Sequence, residues 1–258
     1  MALQESMRED STIIIMGEDV GRYGGAYGVT KGMIEEFGEK RIIDTPISEE
    51  GIVGCAVGSA MTGLRPVVEL MYVDFVMLAM DQLANQAAKI RYMFGGQISV
   101  PMVMRAQGGT GRSGAAQHSQ SLEAWMMHTP GLNLAMPATV TDAYLLLKHA
   151  LKLSDPVVFI EHKMLYTLKG DLNKSESISW GQAAILRSGS DFTLVTYSRM
   201  VHRALEAAGK LAELGIQAEV IDLRTLYPLD TETINSSVKK TGRALIVAED
   251  CLTAGVSA

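Results

Sequence analysis

Cysteine is scarce in this chain. Cys55 and Cys251 are the only two among 258 residues. Neither has a CxxC partner, which excludes zinc ribbons and disulfide scaffolds and fits a reducing compartment. Positive charge is also short: 23 Lys and Arg face 29 Asp and Glu, for a net charge of −6 and a pI near 5.4. Binding by counterion release needs clustered Lys and Arg, so no nucleic-acid partner is expected. No apolar run is long enough for a membrane. The nearest approach, 51–64, is broken by Arg65-Pro66 and then by Glu69 and Asp74, short of the ~18 apolar residues a span requires. The opening decapeptide MALQESMRED is charged, has no apolar core and does not resemble a signal peptide. Cytoplasmic localisation is the expectation. Three catalytic signatures are missing as well: no GxxxxGK[ST] phosphate loop, no GxSxG elbow, and no His pair at i, i+4 around a Glu.

What is present is a globular composition, 47% hydrophobic and 20% charged. Strand-like runs alternate with helical ones. Residues 11–19, 65–72, 99–106 and 155–162 are short, rich in Val, Ile or Met and closed by polar residues, as parallel strands buried on both faces tend to be. Between them, 75–93 carries Val76, Met80, Leu83, Ala87 and Ile90 at helical spacing, and 142–153 is helical with Thr141 or Asp142 as its cap. The polar, aperiodic stretch 168–182 marks a boundary. Beyond it the spacing predicts a strand at 191–198, an amphipathic helix at 200–214, a strand and exit loop over 216–228, a helix at 231–241 and a strand at 243–250. The fold class is therefore α/β: a mostly parallel sheet flanked by helices over 1–175, then a second, truncated α/β domain over 182–258 with three strands.

Two motifs compete for the chemistry. GTGRSG (109–114) fits GxGxxG and follows a strand, but a dinucleotide site also needs an acid at the end of the next strand, and 132–139 offers none. GRYGGAYG (21–28) reads as a surface or partner-contact loop. Among five histidines, His118 stands out because its polar loop follows a strand at the sheet end where α/β proteins bind ligands; a solvated loop histidine is the alternative. In IDTPISEEGIVGCAVGSAMTG (43–63), Ser48 caps a helix and puts Glu49 and Glu50 in its first turn, where the dipole favours acids by roughly 0.3–1 kcal/mol. That is enough for two exposed acids. It does not explain the small face of Gly51, Gly54, Cys55, Gly58, Ser59 and Ala60 behind them. Each interior glycine costs about 1 kcal/mol relative to Ala, which is tolerable where two backbones must approach closely. Such packing would bury one of the acids, and a buried acid needs a partner such as a protonatable ring nitrogen.

The strings MGEDVG, GAYGVTKGMIEEFGEKRIIDTPISEEGIVG, GLRPVVELMYVDF, DQLANQAAKIRYMFGGQISVPMVMR, AAQHSQSLEAW, PGLNLAMP and DPVVFIEHKMLY resemble the β subunit of the thiamine-diphosphate-dependent first component of 2-oxo acid dehydrogenase complexes, of the pyruvate, acetoin and branched-chain types. The resemblance spans nearly the whole chain. It implies a transketolase-like pyrimidine-binding domain, then a transketolase-like C-terminal domain. It also implies an α2β2 tetramer in which an α subunit holds the cofactor's diphosphate through Mg²⁺, and a lipoyl-bearing acyltransferase core that receives the acyl group from a 2-oxo acid or from acetoin. By position, Glu49 would share a proton with N1′ of the aminopyrimidine and so favour the imino tautomer that activates the cofactor. Phe75 would stack on that ring. Glu18 would lie near the cofactor, and His118 would face the substrate and the lipoyl arm. Some relatives bind K⁺ through main-chain carbonyls; the matching positions are Met102, Ala150, Leu151, Leu153 and Asp155. Against family length, a C-terminal stretch that contacts the acyltransferase core is expected to be missing. The compartment implied is a bacterial or archaeal cytoplasm rather than a mitochondrial matrix. Two rivals stand beside this reading: a non-catalytic scaffold subunit of the same fold, and a nicotinamide-dependent oxidoreductase using GTGRSG.

Overall fold

The computed structural model describes residues 1–258. The short Ile/Val/Met runs form strands β1 (Ile13–Gly17), β2 (Ile42–Asp44), β3 (Arg65–Leu70), β4 (Val103–Gly108), β5 (Asn133–Ala135) and β6 (Val157–His162). They lie parallel in the order β5-β6-β4-β3-β1-β2. Their side chains alternate between two covered faces. Ile14, Met16, Val68 and Leu70 pack on the side of α3 (Glu49–Met61), while Ile13, Ile15 and Val67 pack on the side of α1 (Ala2–Glu9) and α6 (Val140–Ala150). Burial on both faces is why these strands read as continuous apolar runs.

The second sheet has the order β11-β8-β9-β7, with β7 at Ala184–Arg187, β8 at Phe192–Thr196, β9 at Ala218–Asp222 and β11 at Ala244–Val247. Helices α7 (Met200–Glu213) and α8 (Thr231–Thr241) cross over between its parallel strands. The α/β class with mostly parallel sheets is as expected, but four details differ. This sheet has four strands, not three. The extra one, β7, pairs antiparallel with β9, and its half-exposed pattern hides it from a search for apolar runs. The exit loop after β9 is not a loop throughout: Thr225–Tyr227 forms β10, which pairs antiparallel with β5 and so adds an edge to the first sheet. The cap of α6 is Thr139, whose hydroxyl accepts from the Asp142 N–H while Asp142 reaches back to the Thr139 N–H, a reciprocal capping box. The helical stretch 75–93 is not one regular helix. It runs as a 3₁₀ segment (Val73–Ala79), a π segment (Asp81–Ala87) and a final α turn, α4 (Ala88–Met93). It keeps Val76, Leu83, Ala87 and Ile90 buried while rewinding between them.

Candidate active site

The catalytic and cofactor candidates Glu18, Glu49, Phe75 and His118 all leave the carboxyl edge of the first sheet, where open α/β sheets bind ligands. Glu18 follows β1, Glu49 opens α3 after β2, Tyr72 and Phe75 follow β3, the loop to His118 follows β4, and Lys163 follows β6. Ser48 caps α3 by accepting from the Gly51 N–H. That cap turns the two acids to opposite fates. Glu49 is buried at 9% exposure, whereas Glu50 is exposed and accepts from the Gln82 amide at 3.3 Å. No hydrogen bond or ion pair from within the chain reaches the Glu49 carboxylate. Glu18 stands close enough for its carboxyl to be pushed upward, chiefly by burial and then by the charges of Asp19 and Glu49. The small face of α3, with Gly51, Cys55 and Gly58, is exposed on this single chain.

A second group forms around His118. Its ring meets Phe75 edge-on at 5.6 Å and Tyr72 at 4.8 Å, and Tyr72 and Phe75 lie 6.1 Å apart. His118 Nδ1 lies 3.1 Å from the Gly114 carbonyl, which assigns the proton to Nδ1 and leaves Nε2 as the free acceptor. Helix α3 packs on the Val73–Ala79 segment that bears Phe75, so the acid pair and the aromatic group share one edge. Sequence reasoning missed Tyr72, Asp74 and Lys163. Lys163 donates from Nζ to the His118 carbonyl and lies 5.0 Å over the Tyr72 ring. All three were in view, in ELMYVDF and IEHKMLY at strand ends.

The glycines of GTGRSG have a structural reason. Gly109 (φ +83°) is so close to His162 that a Cβ would lie 2.1 Å from Nε2, and Gly111 (φ +102°) presses on Met164 and Arg199. The motif opens no helix. A loop with a 3₁₀ turn at Ala116–His118 intervenes before the five-residue α5 (Glu123–Met127). It therefore lacks the helix N-terminus on which a dinucleotide pyrophosphate rests. His162 accepts the Met164 N–H at Nδ1, so Nε2 carries the proton toward Glu249, 3.1 Å away. Glu249 comes from beyond β11 and also accepts from the N–H and hydroxyl of Thr110. Burial works against its charge, but the bonds from His162 and Thr110 prevail and hold its pKa down at about 2. Glu249 thus fastens the second domain to the loop that carries His118.

A buried charge chain lies beneath. Arg105, 1% exposed, pairs with Glu69 at 2.6 Å and with Glu161, which also accepts from the Tyr166 hydroxyl. Tyr166 stacks on Tyr27 at 4.4 Å, and Arg112 covers Tyr27 from the His118 loop. Four of the five main-chain carbonyls expected to hold K⁺ already accept hydrogen bonds within the chain. Arg65 donates to the Leu151 and Leu153 carbonyls at 2.9 Å each, the Met102 carbonyl accepts the Val157 N–H, and the Ala150 carbonyl accepts the Leu153 N–H. The Asp155 carboxylate pairs with Arg91 at 2.6 Å. A cation bound through Leu151 and Leu153 would share those carbonyls with the Arg65 guanidinium or displace it.

The aminopyrimidine of thiamine diphosphate does fit the edge. Glu49 is a buried residue whose carboxylate has no partner in its own chain, so it can share a proton with a ring nitrogen, and Phe75 and Tyr72 supply aromatic surface at the same edge. The comparisons agree on the class. The family model for the transketolase pyrimidine-binding domain matches residues 1–169, and that for the transketolase C-terminal domain matches 181–258. A split-gene transketolase, solved as an inactive β4 tetramer, superposes with a TM-score of 0.84 at 22% identity, over 99% of this chain and 79% of that one. A mutant transketolase of Pichia stipitis with fructose 6-phosphate gives 0.74 at 18% identity, over 97% of this chain and 38% of that one. These likenesses define a transketolase-type fold.

Curated relatives narrow the class. The β subunit of acetoin:2,6-dichlorophenolindophenol oxidoreductase from Cupriavidus necator is 47% identical, over 96% of this chain and 76% of that protein. The 2-oxoisovalerate dehydrogenase β subunit of Bacillus subtilis is 47% identical, over 97% and 77%. The pyruvate dehydrogenase E1 β subunit of Rickettsia conorii is 49% identical, over 100% and 79%. The chain belongs to the transketolase pyrimidine-binding family, within its branch of 2-oxo acid and acetoin dehydrogenase β subunits. No helix is long and apolar enough to cross a membrane.

Proposed function

We propose that this chain is the β subunit of a thiamine-diphosphate-dependent dehydrogenase component that cleaves a 2-oxo acid or acetoin and passes the acyl group to a lipoyl arm. The observation that carries the reading is Glu49, buried at the sheet's carboxyl edge with a carboxylate that nothing in its own chain satisfies. Bound cofactor would supply the nucleophilic carbon for cleaving a C–C bond beside a carbonyl. Glu49 would hold a proton at N1′ of the aminopyrimidine. Phe75 would present its ring to that heterocycle, and Glu18 would keep a second acid close to Glu49. His118, with Nδ1 committed to Gly114, would take or give a proton at Nε2 during acyl transfer. The chain has no cluster of three His, Cys, Asp or Glu placed to hold a metal ion. The reading therefore assigns Mg²⁺ and the diphosphate to an α subunit in an α2β2 tetramer. The exposed small face of α3 supports close approach of that subunit.

We read residues 1–175 and 182–258 as the two domains and place the protein, with its two exposed free cysteines, in a bacterial or archaeal cytoplasm. Co-expression with the α partner tests the reading. Reduction of an artificial acceptor with pyruvate, branched-chain 2-oxo acids and acetoin is expected from the complex and not from either subunit alone. No cleavage of any of them by a stable complex would refute it. The scaffold rival predicts that Glu49→Gln leaves this activity undiminished. Binding of NADH by the isolated chain would favour the nicotinamide rival.

A further inference from the structure

Lys163 is among the most deeply buried large side chains, at 1% exposure, and its ammonium pairs with no carboxylate. Burial pushes its pKa down, with Asp74 and Glu249 opposing that shift and Arg112 adding to it. A buried cation without a counter-ion needs another reason to be kept. Its neighbours supply one. The ammonium donates to the main-chain carbonyl of His118 and stands over the ring of Tyr72, which itself meets the imidazole edge-on.

The segment that carries His118 has little to hold it otherwise. Residues 110–117 are exposed and contain one short 3₁₀ turn. The ends of the loop are tied by the Gly109 N–H donating to the Gln120 carbonyl at 3.1 Å, so 109–120 is a closed surface loop. Three buried or half-buried charges reach it. Glu249 takes Thr110, Asp74 takes the Gln120 N–H at 3.0 Å, and Lys163 takes His118 itself. Glu249 and Asp74 act near the two ends. Lys163 alone grips the residue whose side chain is in question, and it fixes the aromatic wall against which that side chain leans.

We propose that Lys163 is a positioning residue for His118, holding its main chain and the Tyr72 ring so that the imidazole keeps one orientation. The inference deepens the proposed reaction and rests on His118 acting in it. A group misplaced by about 1 Å loses on the order of 10²-fold in rate, so the effect falls on turnover rather than on binding.

Two variants and two measurements test this. In the complex with the α subunit, Lys163→Met is expected to lower kcat about 10–100-fold while KM and cofactor Kd stay within about twofold. Lys163→Arg, which can still donate, is expected to recover much of that loss. In the full chain alone, hydrogen exchange of residues 110–120 is expected to quicken about tenfold in Lys163→Met, with the strands of the first sheet still protected. A lysine that merely supports the fold would loosen those strands as well, and that result overturns the proposal. So does unchanged exchange of the loop, or a loss of turnover that arginine cannot repair. Should the wild-type complex cleave no substrate, the functional reading fails, and the exchange measurement still decides whether Lys163 holds the loop.

Discussion

Replacing Gly109 with Ala is a sharp test, because GTGRSG invites two incompatible explanations. In the structure Gly109 has φ +83°, and a Cβ would lie 2.1 Å from His162 Nε2 and 2.3 Å from Cδ2. The imidazole cannot swing aside freely. Its Nδ1 accepts the Met164 N–H at 3.1 Å, its Nε2 faces both Glu249 oxygens at 3.1 and 3.2 Å, and the residue is buried. Left-handed backbone costs a non-glycine residue about 1–2 kcal/mol, and overpacking a well-filled site adds about 1–3 kcal/mol. The sum, about 2–5 kcal/mol, corresponds to a fall in Tm of roughly 5–15 °C for a chain of this size. The assay is thermal unfolding of the full chain without nucleotide, together with hydrogen exchange over 109–120. Exchange in that loop is expected to rise, because its only routes to relief move Thr110 off Glu249 or shift the base of the His118 loop. A Tm within about 1 °C of wild type, with an effect seen only on NADH binding, would refute the packing argument and restore the nucleotide reading.

Other predictions follow from buried charge. Burial, then the charge of Asp142, pushes Asp222 up to about 8 against the opposing Arg224. Its folded pKa thus lies above the unfolded value near 3.8. The stability it contributes is complete below that unfolded value and is lost as pH rises through 8, at roughly 1.4 kcal/mol per unit. Asp222→Asn is therefore expected to gain on wild type in urea melts as pH rises from 4 to 8; a constant difference would contradict this. Arg105→Met strands Glu69 and Glu161 and is expected to cost about 3–5 kcal/mol near neutral pH. A loss of less than about 1 kcal/mol in urea melts would put the pair on a level with surface ion pairs and contradict this. Thr139→Ala breaks the capping box of α6 and is expected to cost about 1 kcal/mol in the same assay.

Much of this was legible because burial on both faces writes itself as unbroken apolar runs. Strands β1, β3, β4 and β6 and helices α7 and α8 follow from such runs and from helical periodicity. Ser48, Glu49 and Glu50 followed from capping chemistry, but the small face is largely exposed, and Glu49 is buried because it lies on the face of Ile52, Val53, Ala56 and Val57. What escaped was held by partners distant in sequence. β7 and β10 are short edge strands whose patterns mean little until β9 and β5 are in place. The rewinding of 73–93 keeps the same apolar spacing as a regular helix, so periodicity could not separate the two. Lys163 and Asp74 look like ordinary polar residues at strand ends until the loop that they grip closes over them. The five carbonyl positions came from the family resemblance alone, and nothing local in the sequence showed that Arg65, 86 residues before Leu151, donates to two of them.

The most direct test follows the cofactor's own activation. In the reconstituted complex, exchange of the thiazolium C2 proton of bound thiamine diphosphate with solvent deuterium can be timed by quenched-flow NMR, for wild type and for Glu49→Gln. If the buried carboxyl at position 49 governs the proton on the aminopyrimidine, exchange slows about 10²–10⁴-fold while the cofactor remains bound. Exchange at the wild-type rate in the glutamine variant would contradict the account at its root.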